Sequence, residues 1–188
     1  MTSPPGGAGA GAIETRRLRL LLLDAEALSA LLDGDLAAAS RALGVTLPPE
    51  FPAGHDDGFL RVQLRRLLQL PERRAWGARA AVTRRGASVV GHCGFHGPPE
   101  LVGRAEIGYT VFAPYRNRGY ATEAAEGLVR WAARQGERFV FASVAPTNLP
   151  SLAVVRRLGF DQVGEQVDPE DGLELVFRRD LSAAPPPD

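Results

Sequence analysis

Hydrophobic positions along the chain follow two periods, one of three to four residues and one of two, and the alternation between them outlines the elements. From Ala121 onward the apolar residues Ala121, Ala124, Ala125, Leu128, Trp131 and Ala132 recur at spacings of three and four, which places them on one face of a helix. Its opposite face is charged, Glu126 stands four residues before Arg130 in the favourable order, and Gly136 is placed to end it. Upstream, ETRRLRLLLL predicts a strand and DAEALSALLDGDLAAASRAL a helix broken near Gly34. The connection GVTLPPEFPAGHDDG is long for a compact domain, and after it FLRVQLRRLLQL returns to helical spacing until Pro71. WGARAAV and ASVVGHCGF predict two strands joined by a turn at TRRG, and RAEIGYTVF predicts a third. RFVFASVA reads as an apolar strand buried on both faces, so strand, helix and strand here imply a parallel crossover. NLPSLAVVRRLGF predicts the last helix, with Pro150 in its first turn and Gly159 at its end, and two strands around DPEDG complete the chain. These elements predict an α/β sandwich: a mixed sheet with helices on both faces.

Composition narrows the chemistry. With 188 residues, 45% hydrophobic and 23% charged, the chain suits one domain, expected over 13–181 between disordered tails at 1–12 and 182–188. The opening MTSPPGGAGAGA has neither the basic nor the apolar part of a signal peptide, and Leu20 to Leu23 is too short a run to span a bilayer, so a soluble cytoplasmic protein is expected. Formal net charge is zero, so no global field draws the molecule to nucleic acid or an anionic membrane, and any anion site must be local. All 22 basic residues are arginine, which removes lysine Schiff-base chemistry and the Walker A phosphate loop. The lone Cys93 cannot form an intramolecular disulfide or a multi-thiolate metal site, and it reads as a small buried strand residue.

In RNRGYATE, Arg116 and Arg118 flank the start of a helix whose N-terminus already carries unpaired N–H groups and partial positive charge. That concentration of charge costs folding energy unless an anion shares the site. Gly119 can turn successive N–H groups towards one point, so the turn reads as a pyrophosphate cradle with arginines to supply further charged hydrogen bonds.

Strand EIGYTVF, the turn RNRGYA, a following apolar strand and then NLPSLAVVRRLGF, in this order and at these distances over about Arg104 to Phe160, resemble the Gcn5-related N-acetyltransferase (GNAT) family. The resemblance implies a mixed, mostly antiparallel sheet flanked by helices, with acetyl-coenzyme A as co-substrate, an amine acceptor and no metal. It implies that the amides of Asn117, Arg118, Gly119, Tyr120, Ala121 and Thr122, with Arg116, hold the pyrophosphate, that Val111 and Phe112 face the pantetheine, and that Asn148 and Ser151 belong to the cofactor site. Val111 N–H is then the expected oxyanion donor. One departure stands out: many members carry a tyrosine seven residues after the asparagine, where it protonates the leaving thiolate, and here that position is Val155. Ser151 instead resembles the subgroup that acetylates the N-termini of ribosomal proteins, in which a serine takes that role. For Ser151 the alternative is a first-turn residue bonding its own backbone. Glu106 is the candidate base, directly or through water, against the alternative of an exposed strand-end carboxylate; His92 and His96 are held in reserve. Val155 also keeps open a non-catalytic acyl-coenzyme A sensor or interaction module. Two acidic segments, Glu50, Asp56 and Asp57 early and Asp168, Glu170 and Asp171 late, either attract a cationic acceptor or are solvated turns.

Overall fold

The computed structural model describes residues 11–52, 57–169 and 172–182. Strands β1 (Ile13–Glu14), β2 (Leu18–Leu22), β3 (Ala78–Thr83), β4 (Val89–Phe95) and β5 (Ile107–Val111) form one five-stranded sheet in that order, each pair antiparallel. β6 (Phe139–Val144), β7 (Asp161–Asp168) and β8 (Gly172–Asp180) form a second, three-stranded antiparallel sheet in the order β6-β8-β7. The helices are α1 (Ala25–Leu32), α2 (Leu36–Leu43), α3 (Asp57–Gln69), the short α4 (Pro99–Val102), α5 (Tyr120–Arg134) and α6 (Leu149–Arg157). Among the described residues no helix is long and apolar enough to cross a membrane.

Local signals place these elements where the pattern predicts them. Asp24 caps α1 by accepting from Ala27 N–H at 2.9 Å, Asp35 caps α2 from Ala38 N–H at 2.8 Å, and the helix breaks between them at Gly34. Period-two alternation along the β2 region divides the core. Leu18 and Leu20 join Leu128 and Val129 of α5 on one face of the sheet, while Leu21 and Leu23 join Leu28 and Leu43 of α1 and α2 on the other. The expected helices on both faces follow from that division.

Three local expectations change. β6 is buried only at alternate positions, Val140, Ala142 and Val144; Phe139, Phe141 and Ser143 on its other side are half-buried, and Ser143 lines a cleft. Glu126 does not pair along its helix with Arg130 but reaches Arg179 of β8 at 2.6 Å, because the second sheet packs close beside α5. Most of both expected tails lies outside the described residues, but Gly11 is anchored, its carbonyl accepting from the wholly buried Arg79 at 2.9 Å.

The central crossover opens the molecule. β5 and β6 run parallel and meet at one bridge, Glu106 with Phe141, where Phe141 N–H donates to Ala105 C=O at 2.8 Å. Beyond it the two strands belong to different sheets, so they part, and the parting forms the cleft described next.

Candidate active site

The hydrogen bonds of β5 determine what faces the gap. His96 N–H donates to Glu106 C=O and Phe112 N–H to Val90 C=O, both at 2.9 Å, so the even-numbered residues of this strand address β4. By alternation Ile107, Tyr109 and Val111 turn their backbone groups to the opposite edge, where β6 has diverged. Val111 C=O accepts from Arg116 Nε–H at 3.0 Å, and by the same alternation the Val111 N–H is turned towards the gap. The resulting cleft, about 310 Å³, is lined by His96, Gly108, Tyr109, Ser143, Asn148 and Ser151 among others.

At the end of β5 the chain turns into α5 through two left-handed residues, Asn117 at φ 60° and Gly119 at φ 77°, ψ 10°. The first helical bond runs from Glu123 N–H to Gly119 C=O at 3.1 Å. The N–H groups of Tyr120, Ala121 and Thr122 therefore emerge from the helix end without a partner in the preceding turn. This arrangement of donors suits an anion, and the turn brings the sequence-predicted residues 117–122 together. Their arginines do not all point there. Arg116 is spent on the Val111 carbonyl, and the Arg118 guanidinium lies 5.9 Å from the centre of the Tyr115 ring.

A residue from far along the chain brings its guanidinium beside the turn, paired with an acid of α5. Arg17 donates its Nε–H to Glu123 at 2.6 Å, its backbone N–H to the same carboxylate at 2.6 Å and its Nη1–H to Arg118 C=O at 3.0 Å, and it stacks 4.6 Å from the centre of the Tyr120 ring. Thr15 completes the Glu123 shell at 2.7 Å. Burial alone pushes the Glu123 carboxyl up, but the hydrogen bonds from Thr15 and Arg17 outweigh it and hold the group below the usual carboxylate range. Such a depressed group stabilises the fold above its unfolded pKa, and the contribution is lost as pH falls through the folded value. Glu123→Ala should therefore cost about 1.5–3 kcal/mol at neutral pH, a charged hydrogen-bond loss, and the difference from wild type should close under acid. Urea unfolding at neutral and acidic pH measures both.

At the mouth of the splay, Glu106 is only 8% exposed, so it is not a solvated strand end. Arg104 Nε–H donates to its Oε2 at 2.8 Å, the Ser143 hydroxyl donates to its Oε1, and His96 Nδ1 lies 4.0 Å from Oε2. Gln166 extends the network, accepting from Arg104 at 2.9 Å and donating to Ser143 at 3.1 Å and to Glu174 at 2.9 Å. Burial raises the Glu106 pKa, but the Arg104 bond, His96 and Ser143 together bring it below the ordinary range. It is a dependable anion and a weak base.

On the other wall, Asn148 caps α6 by accepting from Ser151 N–H at 3.2 Å, and the Tyr109 hydroxyl donates to Ser151 C=O at 3.3 Å. It is thus the Ser151 backbone that ties down the start of the helix. Val155, one turn on, is 1% exposed and fills the core beneath the cleft. His92 is buried beside Phe51 and Phe112.

Residues 17–161 match the model of the acetyltransferase (GNAT) domain. YjdG of Bacillus subtilis, an uncharacterized N-acetyltransferase, is 31% identical over 151 residues, 79% of this chain and 88% of its own. The chain belongs to the GNAT acetyltransferase family. It is an acyltransferase. Among solved structures of similar fold, an acetyltransferase from Agrobacterium tumefaciens superposes with TM-score 0.60 at 27% identity over 95% of this chain and 96% of that one. RimL, a ribosomal L7/L12 alpha-N-protein acetyltransferase in complex with coenzyme A, does so with TM-score 0.61 at 21% identity over 90% of this chain and 97% of its own.

Within this GNAT chain, motif spacing brought Val111, the 116–122 turn, Asn148 and Ser151 into view. It missed Arg17, whose partner Glu123 lies 106 residues away, Ser143, which meets Glu106 across 37 residues, Arg104, which ties nearby Glu106 to Gln166 across 62 residues, and Gln166 and Glu174, which meet on facing strands of a hairpin. Of the acidic residues expected near the acceptor, Asp56, Glu170 and Asp171 lie outside the described residues, and Asp57 opens α3. Glu50 and Asp168 are not among the described residues lining the cleft; Glu174 is.

Proposed function

We propose that this GNAT protein transfers the acetyl group of acetyl-coenzyme A to a primary amine by direct attack in a ternary complex. The observation that carries this reading is the parted β5 and β6 edge, ending in a turn whose amides converge. The residues present suit coenzyme A: a cradle of unpaired N–H groups for pyrophosphate, and next to it a strand edge for the amides of the pantetheine arm. Coenzyme A in the RimL complex supports the same ligand here. When bound, the thioester supplies the carbonyl carbon for attack and the thiolate that departs.

In this reading the amides from Asn117 to Thr122 hold the pyrophosphate, and Val111 and Phe112 border the pantetheine. The Val111 N–H, already fixed by its neighbours, donates to the oxygen that gains charge at the carbonyl. Ser151 gives the departing thiolate a hydrogen bond; thiols titrate near 8.5, so at neutral pH little more is required. Glu106 and Glu174 make the acceptor side anionic, which suits an ammonium group, and Glu106 is the anionic end of the path by which the amine sheds its proton. Holding both reactants in one cleft supplies most of the rate, and no covalent enzyme intermediate is required. We place the protein in the cytoplasm.

Ser151→Ala should lower kcat by about ten- to a hundredfold with cofactor affinity unchanged, the loss of one hydrogen bond made chiefly to the thiolate. Steady-state kinetics with calorimetry separates the two quantities. The function itself is tested by thiol release from acetyl-coenzyme A across a panel of primary amines. Release that requires an amine supports it, whereas tight binding without release for any amine identifies an acyl-coenzyme A sensor.

A further inference from the structure

We propose that the His96 imidazole is the group that takes the proton from the attacking amine, with Glu106 as its positioning partner. This rests on the acetyl transfer proposed above and supplies its proton path. Glu106 is poorly suited to the task alone, since one carboxylate oxygen is engaged by the Ser143 hydroxyl and the other by Arg104. His96 has the complementary properties. It follows β4 directly, its side chain is 48% exposed on the cleft wall, and its Nδ1 faces Glu106 Oε2 at 4.0 Å. Histidine is the side-chain type that most readily exchanges a proton around neutral pH, which is the task of a general base here.

The fold holds this ring in place from several sides. His96 N–H donates to Glu106 C=O at 2.9 Å, and its own carbonyl accepts from Arg66 and, at 3.5 Å, from Gln63, both on α3. Its Nε2 lies over Gly108, where an added Cβ would come to 3.2 Å from that nitrogen, so the absence of a side chain there gives the ring its place on the cleft floor. The charged groups facing His96 among the described residues are Glu106 with Arg104 behind it on β5's approach, Arg66 on α3 and Glu174 of β8, which lines the same cleft.

The step balances without a further reagent. The amine nitrogen forms its bond to the carbonyl carbon and the carbonyl π pair moves to oxygen. One N–H proton passes to His96 Nε2, and Nδ1–H turns towards Glu106. Collapse breaks the C–S bond, the thiolate leaves as coenzyme A, and the half-exposed imidazolium returns its proton to solvent.

The test combines pH–rate profiles with NMR of the histidine side chains in the free protein, without acetyl-coenzyme A. His96→Gln should lower kcat/KM by about a hundredfold or more with coenzyme A affinity unchanged, and should remove the enzyme's acid limb so that only the titration of the free amine remains. Glu106→Gln should keep that limb but move it to lower pH, and the His96 resonance should titrate at lower pH in the same variant, because the imidazolium has lost its anion. Gly108→Ala, which crowds the ring without removing it, should lower kcat and spare cofactor binding. The proposal is overturned if His96→Gln keeps the wild-type rate and limb, if the limb vanishes in Glu106→Gln but persists in His96→Gln, or if the His96 titration does not move in Glu106→Gln. Should the wild type release no thiol with any amine, the acetyl-transfer reading fails by itself, and the NMR titration still decides whether the two side chains form a pair.

Discussion

Replacing Gly119 by valine is expected to lower coenzyme A affinity by at least about a hundredfold, a loss near 3 kcal/mol, while the protein stays folded. Gly119 sits at φ 77°, where a β-branched residue is strained by roughly 1–3 kcal/mol, and its added Cβ would also meet Arg17 Nη2 at 3.4 Å. The turn relieves that strain by rotating to negative φ. Rotation swings the adjoining N–H groups off their common point and breaks the geometry that collects an anion. Gly119 is exposed and outside both core clusters, so the fold tolerates the change. Gly136→Val is the control: it imposes comparable strain, at φ 91° with nothing within 4 Å, beyond the other end of α5. Calorimetry should show lost binding for the first variant and intact binding for the second. Equal affinity for both would remove the cradle from the account.

The largest loss of stability is expected at Gly91, in the middle of β4. A Cβ there would lie 2.0 Å from the Thr110 carbonyl oxygen and 3.0 Å from Val111 Cα, all backbone atoms that cannot rotate away. Strands β4 and β5 must move apart to admit a methyl group. We expect Gly91→Ala to cost about 3 kcal/mol or more, which lowers Tm by about 6–12 °C in a chain of this size. Separation begins at Thr110 and Val111, so the proposed oxyanion donor moves with the strand. Gly164→Ala is the comparison, since this strand glycine has nothing within 4 Å of its added Cβ and should change stability little. Thermal unfolding of both variants distinguishes a specific close approach from a general intolerance of alanine in strands.

Much of the molecule was legible in the order of its residues, and the exceptions share a cause. The face of α5, the break at Gly34 and the left-handed turn at Gly119 are written within one or two helical turns, where spacing alone decides which groups meet. The RNRGYA turn belongs to this class. The Arg17–Glu123 clasp does not, because its partners are 106 residues apart and meet only once β2 and α5 have packed. The same holds for the shell around Glu106. Arg104 is only two residues from Glu106, but the lowered pKa depends also on His96 and on Ser143, which is 37 residues away in the other sheet. Glu126 shows the converse failure: a good local partner, Arg130, lost to Arg179 once the second sheet was in place. Val155 is a related case. The position that departs from the motif holds a side chain buried in the core under the cleft, which spacing alone did not reveal.

The claim that acetyl passes directly from coenzyme A to an amine in this cleft is tested most directly in one reaction vessel. Free thiol and acetylated amine are measured together over time, with the intact mass of the protein followed in parallel. The account predicts one thiol for each acetylated amine, negligible thiol release without an amine, and a protein mass that never gains an acetyl group. Thiol release that is independent of amine, or an acetylated protein that forms before the product and decays into it, would contradict it.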